Sequence, residues 1–462
     1  MTTEKTPELN DRYDVIVIGA GPGGSTAALV LARAGLKVVV LDKDQHPRFH
    51  IGESILPRTE RLLRELGLSE KVRQLPHLEK FGAEFSFGNE FNSLEFRFTD
   101  GLVPGLPIFN IERAHLDKLL AEEAVAAGAT LLSKTAVKSI VKLTDGDVEV
   151  ATADRTFKAR VILDASGHGT VIGRHLGTRK NMSDPNLQKV AYFAHFEGVE
   201  QLPGDAAGYP GIFMTDEGWF WMIGLTNQKT SVGFVTRPSF KQTIDLPADK
   251  MLEWAIARCP VVRHRMRNAT SEFADGRNRV LADFSYKCAP FAGPGYFLVG
   301  DAGCFLDPIF STGVTLAMIG GTQAAKETIA MLNDGKPPAK AQRDYAKFVE
   351  DSTGIFWKMI RGYYHHSFRE LFMNGTGPHQ VHKAVISVLA GQVYPKPVWA
   401  LRWRLRYFHF LVWLNKYLPL VPRRKHCSLL AEIPMERHAL RAGESMASTT
   451  LSREPATAIM AR

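Results

Sequence analysis

The 462-residue chain is too long for one ordinary hydrophobic core and predicts two or three closely connected parts. Its 45% hydrophobic and 23% charged residues are those of a soluble globular protein, and no uninterrupted apolar run reaches transmembrane length. The formal charge of +9 does not predict a nucleic-acid partner, because most basic residues are interspersed with acidic ones. It suits an anionic cofactor or acidic protein partners.

The cysteine pattern excludes two further classes of protein. Cys259, Cys288, Cys304 and Cys427 are scattered without a C-x-x-C pair, so we predict neither a metal site nor a disulfide framework. The N-terminus lacks the apolar segment of a signal peptide. A reducing, cytoplasmic setting is therefore expected.

The first predicted elements are a strand, a glycine turn, a helix and a second strand. Gly19, Gly21 and Gly24 have G-x-G-x-x-G spacing, and the second strand ends at Asp42. The glycines permit a tight turn and close approach of a pyrophosphate, which the amide groups at the helix start can bind. Asp42 stands at the interval expected of the acid that binds a ribose hydroxyl. The pattern predicts a dinucleotide site.

A loop over residues 45–57, shaped by Pro47, Gly52 and Pro57, comes next and leads into a helix. Lys80 then stands just before a Phe-Gly pair and an alternating strand. Lysines are usually solvated surface residues, so spacing alone gives Lys80 little claim to a function.

Short strands over residues 84–110 are predicted to form a pocket wall, and an amphipathic helix is predicted from Ile111 to a capping glycine. Residues 185–285 read largely as strands, which predicts a broad sheet and a substrate pocket. Trp219 and Trp221 are two positions apart, so on a strand both rings face the same side. Core packing explains this pair at least as well as function does.

The second strong block covers residues 295–318. A buried strand leads to Gly300 and Asp301, and a loop with Asp307, Pro308 and Gly313 enters a helix. A carboxylate at the strand end suits a polyol chain, and small residues let amide groups approach a flat ring. Together with the first motif, this predicts a long cofactor held at both ends, FAD rather than NAD.

Three stretches together resemble the flavin-dependent halogenases, which belong to the wider flavoprotein monooxygenase fold. They are residues 46–57 (His-Pro-Arg-Phe-His-Ile-Gly-Glu-Ser-Ile-Leu-Pro), 79–83 (Glu-Lys-Phe-Gly-Ala) and 300–314. The resemblance is to the branch acting on pyrroles, phenols and carrier-bound acyl groups, and it covers roughly residues 12–395. Lys80 falls where that family carries its essential lysine.

The resemblance implies a mechanism with two separated sites. Reduced FAD, supplied by a separate flavin reductase, reacts with O2 to give a C4a-hydroperoxide, which a chloride or bromide ion near Thr312 and Gly313 attacks. The resulting hypohalous acid moves through a tunnel to Lys80, which hydrogen-bonds it or forms a haloamine. An electron-rich aromatic or pyrrole ring, free or tethered to a carrier protein, is then halogenated in secondary metabolism. Trp219 and Trp221 keep this substrate from the flavin.

The resemblance also implies which residues hold the cofactor. FAD is expected to contact Gly19, Gly21, Gly24, Asp42, Arg48, Arg113, Asp301, Pro308, Gly313 and Val314. Some family members attach FAD covalently through an aspartate at the position of Asp307. The family's W-x-W-x-I-P motif departs here, because Gly224 replaces its proline and frees a backbone that proline would fix.

The predicted fold class is α/β: a Rossmann-like FAD-binding domain of the glutathione-reductase type, an inserted mainly β substrate domain and a helical C-terminal region. The predicted boundaries are 12–185 (FAD-binding, with pocket strands at about 80–110), 186–285 (substrate domain), 286–340 (FAD-binding), 341–440 (helical) and 441–462 (disordered tail).

A basic, aromatic helix is predicted from Val398, followed by Arg423-Arg-Lys425. Three functions fit residues 398–425: peripheral membrane contact, a cover over the substrate pocket, or docking of an acidic carrier protein. A helix packed on the domain by its aromatic face fits as well.

Two other enzymes remain compatible with the motifs. One is an FAD-dependent monooxygenase or dehydrogenase without halide chemistry, which would oxidise NAD(P)H without a partner reductase. The other is a membrane-associated enzyme of the geranylgeranyl reductase type, which would need the basic aromatic helix and could dispense with Lys80.

Overall fold

The computed structural model describes residues 12–273, 278–282, 284–393 and 396–431. The first part of the chain contains β1 Val15–Ile18, α1 Pro22–Arg33, β2 Val38–Leu41, α2 Arg58–Glu65, α3 Ser69–Arg73, β3 His77–Lys80, β4 Gly82–Phe87, β5 Leu94–Arg97, β6 Ile108–Ile111, α4 Arg113–Ala126, β7 Thr130–Leu132, β8 Ser139–Thr144, β9 Asp147–Ala151, β10 Thr156–Ala159, β11 Val161–Asp164 and α5 Val171–His175.

The middle part alternates strands with short helices: β12 Arg179–Asn181, β13 Val190–Glu197, β14 Gly211–Met214, β15 Gly218–Gly224, β16 Lys229–Thr236, α6 Pro238–Gln242, α7 Met251–Arg258, α8 Pro260–Arg265, β17 Thr270–Ser271, β18 Arg279–Ala282, β19 Tyr286–Cys288, β20 Ala292–Gly293, β21 Tyr296–Leu298 and β22 Cys304–Phe305. The last part is helical: α9 Gly313–Leu332, α10 Pro338–Tyr363, α11 His366–Met373, α12 Val381–Leu389 and α13 Trp399–Tyr417.

A six-stranded sheet in the order β20-β21-β11-β1-β2-β7 carries the dinucleotide motif. Strand β1 lies at its centre, parallel to β2 and β11, with Val15 opposite Val38 and Val161. Every residue of β1, β2 and β11 is buried, as expected of central parallel strands covered on both faces. Helix α1 packs against α9 and α4.

An eight-stranded sheet follows the order β17-β13-β16-β15-β14-β4-β5, and β18 also pairs with β13. Strand β15 lies between β14 and β16, with Trp219 opposite Met214 and Val235. Strand β14 is parallel to β4, so the strands that follow Lys80 extend the same sheet. The predicted short strands β4 and β5 therefore belong to the same sheet as the broad sheet, whereas β6 pairs with β3 in a separate two-stranded sheet. That these strands form a pocket wall stays a prediction.

Two expectations about local structure need correction. The helix predicted from Ile111 begins at Arg113, because Ile111 ends β6 and pairs with His77. The segment predicted to be largely β also contains α6, α7 and α8 between residues 238 and 265. Those helices cover one face of the sheet, where Met251, Leu252 and other apolar side chains share a core with its strands.

The described residues as far as Leu429 form one compact unit. The predicted division at residues 185, 285 and 340 stays a prediction, and the predicted tail at 441–462 lies outside the described residues. Within the described ranges, no helix has both the length and the hydropathy needed to cross a membrane. The four cysteines are buried and free.

Candidate active site

A cavity of about 560 Å³ lies between the two large sheets. Its volume is in the range of sites for large organic ligands. Its wall includes twelve of the residues predicted from the sequence: Gly19, Gly21, Asp42, Arg48, Arg113, Trp219, Trp221, Asp301, Pro308, Thr312, Gly313 and Val314. The structure therefore brings both predicted halves of the cofactor site together, while Gly24, Lys80 and Gly224 lie outside the wall.

The glycine turn at one end of the cavity has the geometry that its sequence predicts. Gly19 has a φ of +97°, which a residue with a side chain rarely adopts. A Cβ on Gly24 would lie 1.9 Å from the Gly19 carbonyl oxygen, so only glycine permits this close approach. The Asp42 carboxylate accepts hydrogen bonds from the Ala20 amide at 2.5 Å and from the Asp44 amide at 2.8 Å.

Two basic side chains, the buried Arg113 and the half-buried Arg48, line the same cavity. Arg48 Nη2 lies 3.9 Å from Asp42, and Arg48 Nε lies 4.0 Å from Asp44. The Nε atom is buried and has no hydrogen-bond partner among the described residues. Arg113 is held by Asp117, with Nε to Oδ1 at 2.7 Å and Nη2 to Oδ2 at 2.9 Å. Burial alone would lower the pKa of Arg113, but Asp117 outweighs burial and raises it. A fixed positive charge therefore stands beside Asp301, ready for a ligand with anionic and hydroxyl groups.

The other end of the cavity is the start of helix α9. Thr312 is the N-cap residue, and nothing lies within 4 Å of the position that a Cβ on Gly313 would take. The first amide groups of a helix have no carbonyl partner within it, and the helix dipole is positive there. This terminus can bind an anion or the edge of a flat ring. With the glycine turn and the Arg48 Nε, which makes no hydrogen bond among the described residues, the cavity fits FAD.

Lys80 ends β3 and is buried, with 2% of its surface exposed. Its Nζ donates a hydrogen bond to the Ile55 carbonyl oxygen at 3.0 Å and lies 5.1 Å from the centre of the Phe98 ring. Burial lowers the pKa of Lys80 to about 7, and no carboxylate opposes this shift. Ser54, the neighbour of Ile55, lines the cavity, so a short loop separates Lys80 from it.

The two tryptophans lie side by side in the cavity wall, as their spacing predicts. Their ring centroids are 6.1 Å apart, and Trp221 Nε1 donates to the Ser231 hydroxyl at 3.1 Å. Trp219 Nε1 donates to the Tyr364 hydroxyl at 3.1 Å, which donates to Asp307 Oδ2 at 2.7 Å. The two tryptophans are therefore held in place both by packing and by hydrogen bonds.

Asp307 has both carboxylate oxygens engaged. Its Oδ1 accepts a hydrogen bond from the Ile309 amide at 3.0 Å, and its Oδ2 accepts one from Tyr364. Burial raises the pKa of Asp307, although these bonds and Lys189 oppose the shift. In this arrangement Asp307 organises the loop into α9.

Lys189 stands in no recognisable motif, so the sequence predicts no role for it. It is buried, and its Nζ lies 3.8 Å from the centre of the Tyr364 ring. Burial lowers its pKa to about 7, while the negative charge of Asp307 opposes the shift. Lys189 therefore belongs to the cluster of Asp307; Asp307 lines the cavity and Lys189 does not.

A second buried cluster that the sequence did not reveal stands beside Gly52. Glu53 lines the cavity and accepts a hydrogen bond from His195 Nε2 at 2.6 Å. His195 Nδ1 lies 3.4 Å from Glu272, which pairs with Lys229 at 2.9 Å. Burial alone would lower the pKa of His195, but the Glu53 bond and charge outweigh it and raise it.

Gly224, which stands where the family motif has proline, is packed closely against neighbouring residues. A Cβ there would lie 3.0 Å from the Ala207 carbonyl oxygen and 3.1 Å from Leu78 Cδ2. The Gly224 carbonyl accepts a hydrogen bond from Asn110 Nδ2 at 3.1 Å. Glycine therefore lets the segment around Ala207 pack tightly on β15.

The geometry is that of an FAD-binding protein, and the comparisons with known proteins agree. Residues 12–341 match the FAD binding domain family. The chain is 32% identical over 357 residues to a 1H-pyrrole-2-carbonyl-[peptidyl-carrier protein] brominase of Pseudoalteromonas luteoviolacea, covering 75% of this chain and 86% of that protein. It is 33% identical over 380 residues to a flavin-dependent halogenase of Penicillium aethiopicum, and the match covers 75% of this chain and 70% of that protein.

Solved structures share the fold. The flavin-dependent brominase Bmp2 matches with a TM-score of 0.75 at 28% identity, covering 88% of this chain and 99% of that one. A flavoprotein/dehydrogenase from Cytophaga hutchinsonii matches with a TM-score of 0.78 at 28% identity, and the match covers 88% of this chain and 100% of that one. This chain belongs to the flavin-dependent halogenases. It is an FAD-dependent oxidoreductase, and halide and O2 are its co-substrates.

Proposed function

We propose that this halogenase delivers an electrophilic halogen to an electron-rich aromatic or pyrrole ring through the amine of Lys80. The observation that carries the proposal is the burial of Lys80 without a carboxylate partner, one loop away from the cofactor cavity. At a pKa of about 7, a large share of the side chain is the nucleophilic amine.

The proposed cofactor residues divide by chemistry. The amide groups around Gly19, Gly21 and Gly24 would bind the pyrophosphate, and Asp42 would accept a ribose hydroxyl. Arg48, Arg113 and Asp301 would hold the remaining polar groups, and Pro308, Gly313 and Val314 the ring. When bound, reduced FAD and O2 together oxidise the halide ion, giving hypohalous acid, oxidised FAD and water.

The start of α9 is the proposed halide site. Thr312 is buried, and the space in front of Gly313 is open. Amide groups of Gly313 and its neighbours would bind chloride or bromide without a charged side chain, which keeps the ion reactive.

Lys80 is proposed to carry the halogen. Its amine attacks hypohalous acid, forming an N–halogen bond and releasing water. The aromatic ring then takes the halogen and gives a proton in exchange, which restores the amine. Phe98 and the loop at Ile55 hold the Nζ in place and exclude bulk water. Trp219 and Trp221 would keep the ring away from the cofactor.

The proposed substrate class is a pyrrole or phenol, with the ring tethered to a carrier protein. Support comes from two relatives named as acting on 1H-pyrrole-2-carbonyl groups bound to a peptidyl carrier protein. The proposed second partner is a flavin reductase that supplies reduced FAD. The proposal includes no covalent link from FAD to Asp307, since both oxygens of that residue are engaged.

The test is mass spectrometry of pyrrole and phenol substrates, free and carrier-bound, in reactions with a flavin reductase and either chloride or bromide. We expect halogen incorporation by the wild type and none by Lys80→Ala. Lys138→Ala, at an exposed position, is the matched control and is expected to match the wild type.

Two outcomes would contradict the proposal. Oxygenation that proceeds equally without halide would favour the monooxygenase alternative, which also fits the dehydrogenase named among the structural neighbours. Halogenation that survives Lys80→Ala would leave the halide chemistry intact and remove Lys80 from it.

A further inference from the structure

Helix α13 exposes a row of aromatic side chains. Trp399 is 73% exposed, Phe410 50%, Trp413 56% and Tyr417 62%, and the half-buried Trp403 continues the row. Their spacing of three, four or seven positions places them on one face of the helix. Ring centroids are 6.3 Å apart for Trp399 and Trp403, 5.9 Å for Phe410 and Trp413, and 5.5 Å for Trp413 and Tyr417.

The opposite face of α13 already holds the helix on the protein. Leu401, Leu405, Phe408 and Leu411 are buried in the large core, and Asn415 donates hydrogen bonds to Ser367 and Glu370 from the same face. This corrects the interpretation in which the aromatic face packs on the domain. Globular proteins rarely leave a continuous apolar surface of this kind without a use.

The charged residues of the segment that contains α13 are all basic. Residues 396–431 contain no Asp or Glu, and their basic side chains are Lys396, Arg402, Arg404, Arg406, Lys416, Arg423, Arg424 and Lys425. Arg402, Arg406 and Lys425 are exposed and make no ion pair within the part of the chain that the structure describes. Arg406 lies within the aromatic row itself, between Trp403 and Phe410.

We propose that this face docks on a surface of anionic lipid. The docking face, here called the aromatic ridge, consists of Trp399, Trp403, Arg406, Phe410, Trp413 and Tyr417. Trp and Tyr rings prefer the boundary between lipid headgroups and acyl chains, and arginines beside them attract anionic headgroups. A helix of this length is about 28 Å long and lies in the plane of the surface, as interfacial helices do.

The shape of the exposed aromatic face favours a lipid surface over a folded protein as its partner. The aromatic row stands on the outside of a single helix, so it forms a ridge and not a groove. A lipid surface deforms around a ridge, whereas a folded partner needs a complementary groove. The segment that follows the C-terminal end of α13 is held on the protein, because Arg423 pairs with Glu370 at 2.6 Å and Arg424 pairs with Glu90 at 2.7 Å. The ridge is therefore held ready for contact and needs no ordering on binding.

The test is sedimentation of the full chain with vesicles of phosphatidylcholine alone or mixed with phosphatidylglycerol. We expect the wild type to bind the anionic vesicles, with weaker binding when NaCl is raised from about 0.1 M to about 1 M. The variant Trp399→Ser/Phe410→Ser/Trp413→Ser/Tyr417→Ser is expected to lose about tenfold or more in partition coefficient. The matched control is Phe91→Ser/Leu106→Ser, two apolar residues exposed elsewhere, and it should bind like the wild type.

A charge variant separates the two contributions. Arg402→Glu/Arg406→Glu is expected to lower binding to anionic vesicles severalfold with the aromatic rings in place. FAD binding and the urea midpoint of each variant show that its fold is intact, because the substituted side chains are exposed or half-buried on α13.

Three results would overturn the proposal. The wild type could fail to bind anionic vesicles, or the ridge variant could bind them as well as the wild type does. Binding of an acidic holo carrier protein through the ridge, with no affinity for vesicles, would assign the surface to a protein partner. None of these results depends on halide chemistry, so the proposed function and the docking proposal fail separately.

Discussion

The chain buries two lysines beside its cofactor cavity, and they make different contacts. Lys80 is held by a carbonyl oxygen and an aromatic ring, and burial alone sets its pKa at about 7. Lys189 reaches the same pKa in a cluster with Tyr364 and Asp307, where burial lowers the pKa and the aspartate opposes that shift.

The comparison shows that a lowered pKa does not by itself mark a reactive lysine. The Lys80 amine has no charge to compensate, so it is free to exchange protons and halogens. Lys189 has the task of balancing the buried Asp307 carboxyl, which lies near the proposed halide site. The following predictions separate the two roles.

The largest difference is expected in halogenation itself. Lys80→Met should lower product formation about a thousandfold, in the range typical for loss of a group that takes part in the chemistry. Lys189→Met should lower it less than about tenfold, since this side chain does not line the cavity. Product formed per reduced FAD consumed is the measurement. Equal losses in the two variants would remove the distinction.

The two substitutions should have opposite effects on stability. Lys189→Met leaves Asp307 buried without its positive neighbour and should lower the free energy of unfolding by about 3 kcal/mol in urea titrations. Lys80→Met removes an amine that has no charged partner, so stability should stay equal or rise. The double variant Lys189→Met/Asp307→Asn should recover part of the loss. A Lys80→Met chain less stable than Lys189→Met would refute this assignment.

The pH dependence of halogenation tests the state of Lys80. The amine form predominates above a pKa of about 7, so the rate should rise about tenfold between pH 6 and pH 8. Stability should follow the same group: the unfolded lysine keeps its proton to a higher pH than the folded one, so stability rises with pH above about 7. Lys80→Met should lose the Lys80 share of this rise and keep the share of Lys189, whose pKa is also about 7. A rate that falls through pH 7 would mean that the ammonium form is the active one.

The smallest expected effect concerns the hydroxyl that links Trp219 to Asp307. Tyr364→Phe removes one hydrogen bond from each and should cost about 1.5 kcal/mol of unfolding free energy. Tyr407→Phe, a half-buried tyrosine on α13, is the control and should change stability little. Identical urea midpoints for Tyr364→Phe and the wild type would show that the link carries no stability.

The dinucleotide turn could be predicted because its determinants are local. Gly19, Gly24 and Asp42 lie within one strand–helix–strand unit, and each has a steric or hydrogen-bonding reason that the sequence shows. The paired faces of Trp219 and Trp221 followed in the same way from strand periodicity.

Contacts between distant segments could not be predicted. Glu53 and His195 are 142 positions apart, and only the folded sheet brings them together. Only the resemblance to the flavin-dependent halogenases points to Lys80, because no local pattern distinguishes a buried lysine from a surface one. Helix α13 is apolar on both faces, so its periodicity could not tell which face the protein buries.

The burial of the cysteines bears on how long the enzyme survives its own product. Hypohalous acid oxidises thiolates far faster than thiols, and Cys304 lines the cofactor cavity. Burial raises the pKa of Cys304 to about 12 and that of Cys288 to about 11. At neutral pH both sulfurs therefore stay protonated, the form that hypohalous acid oxidises more slowly. We therefore expect the packing that buries these thiols to extend the number of turnovers before the enzyme inactivates itself.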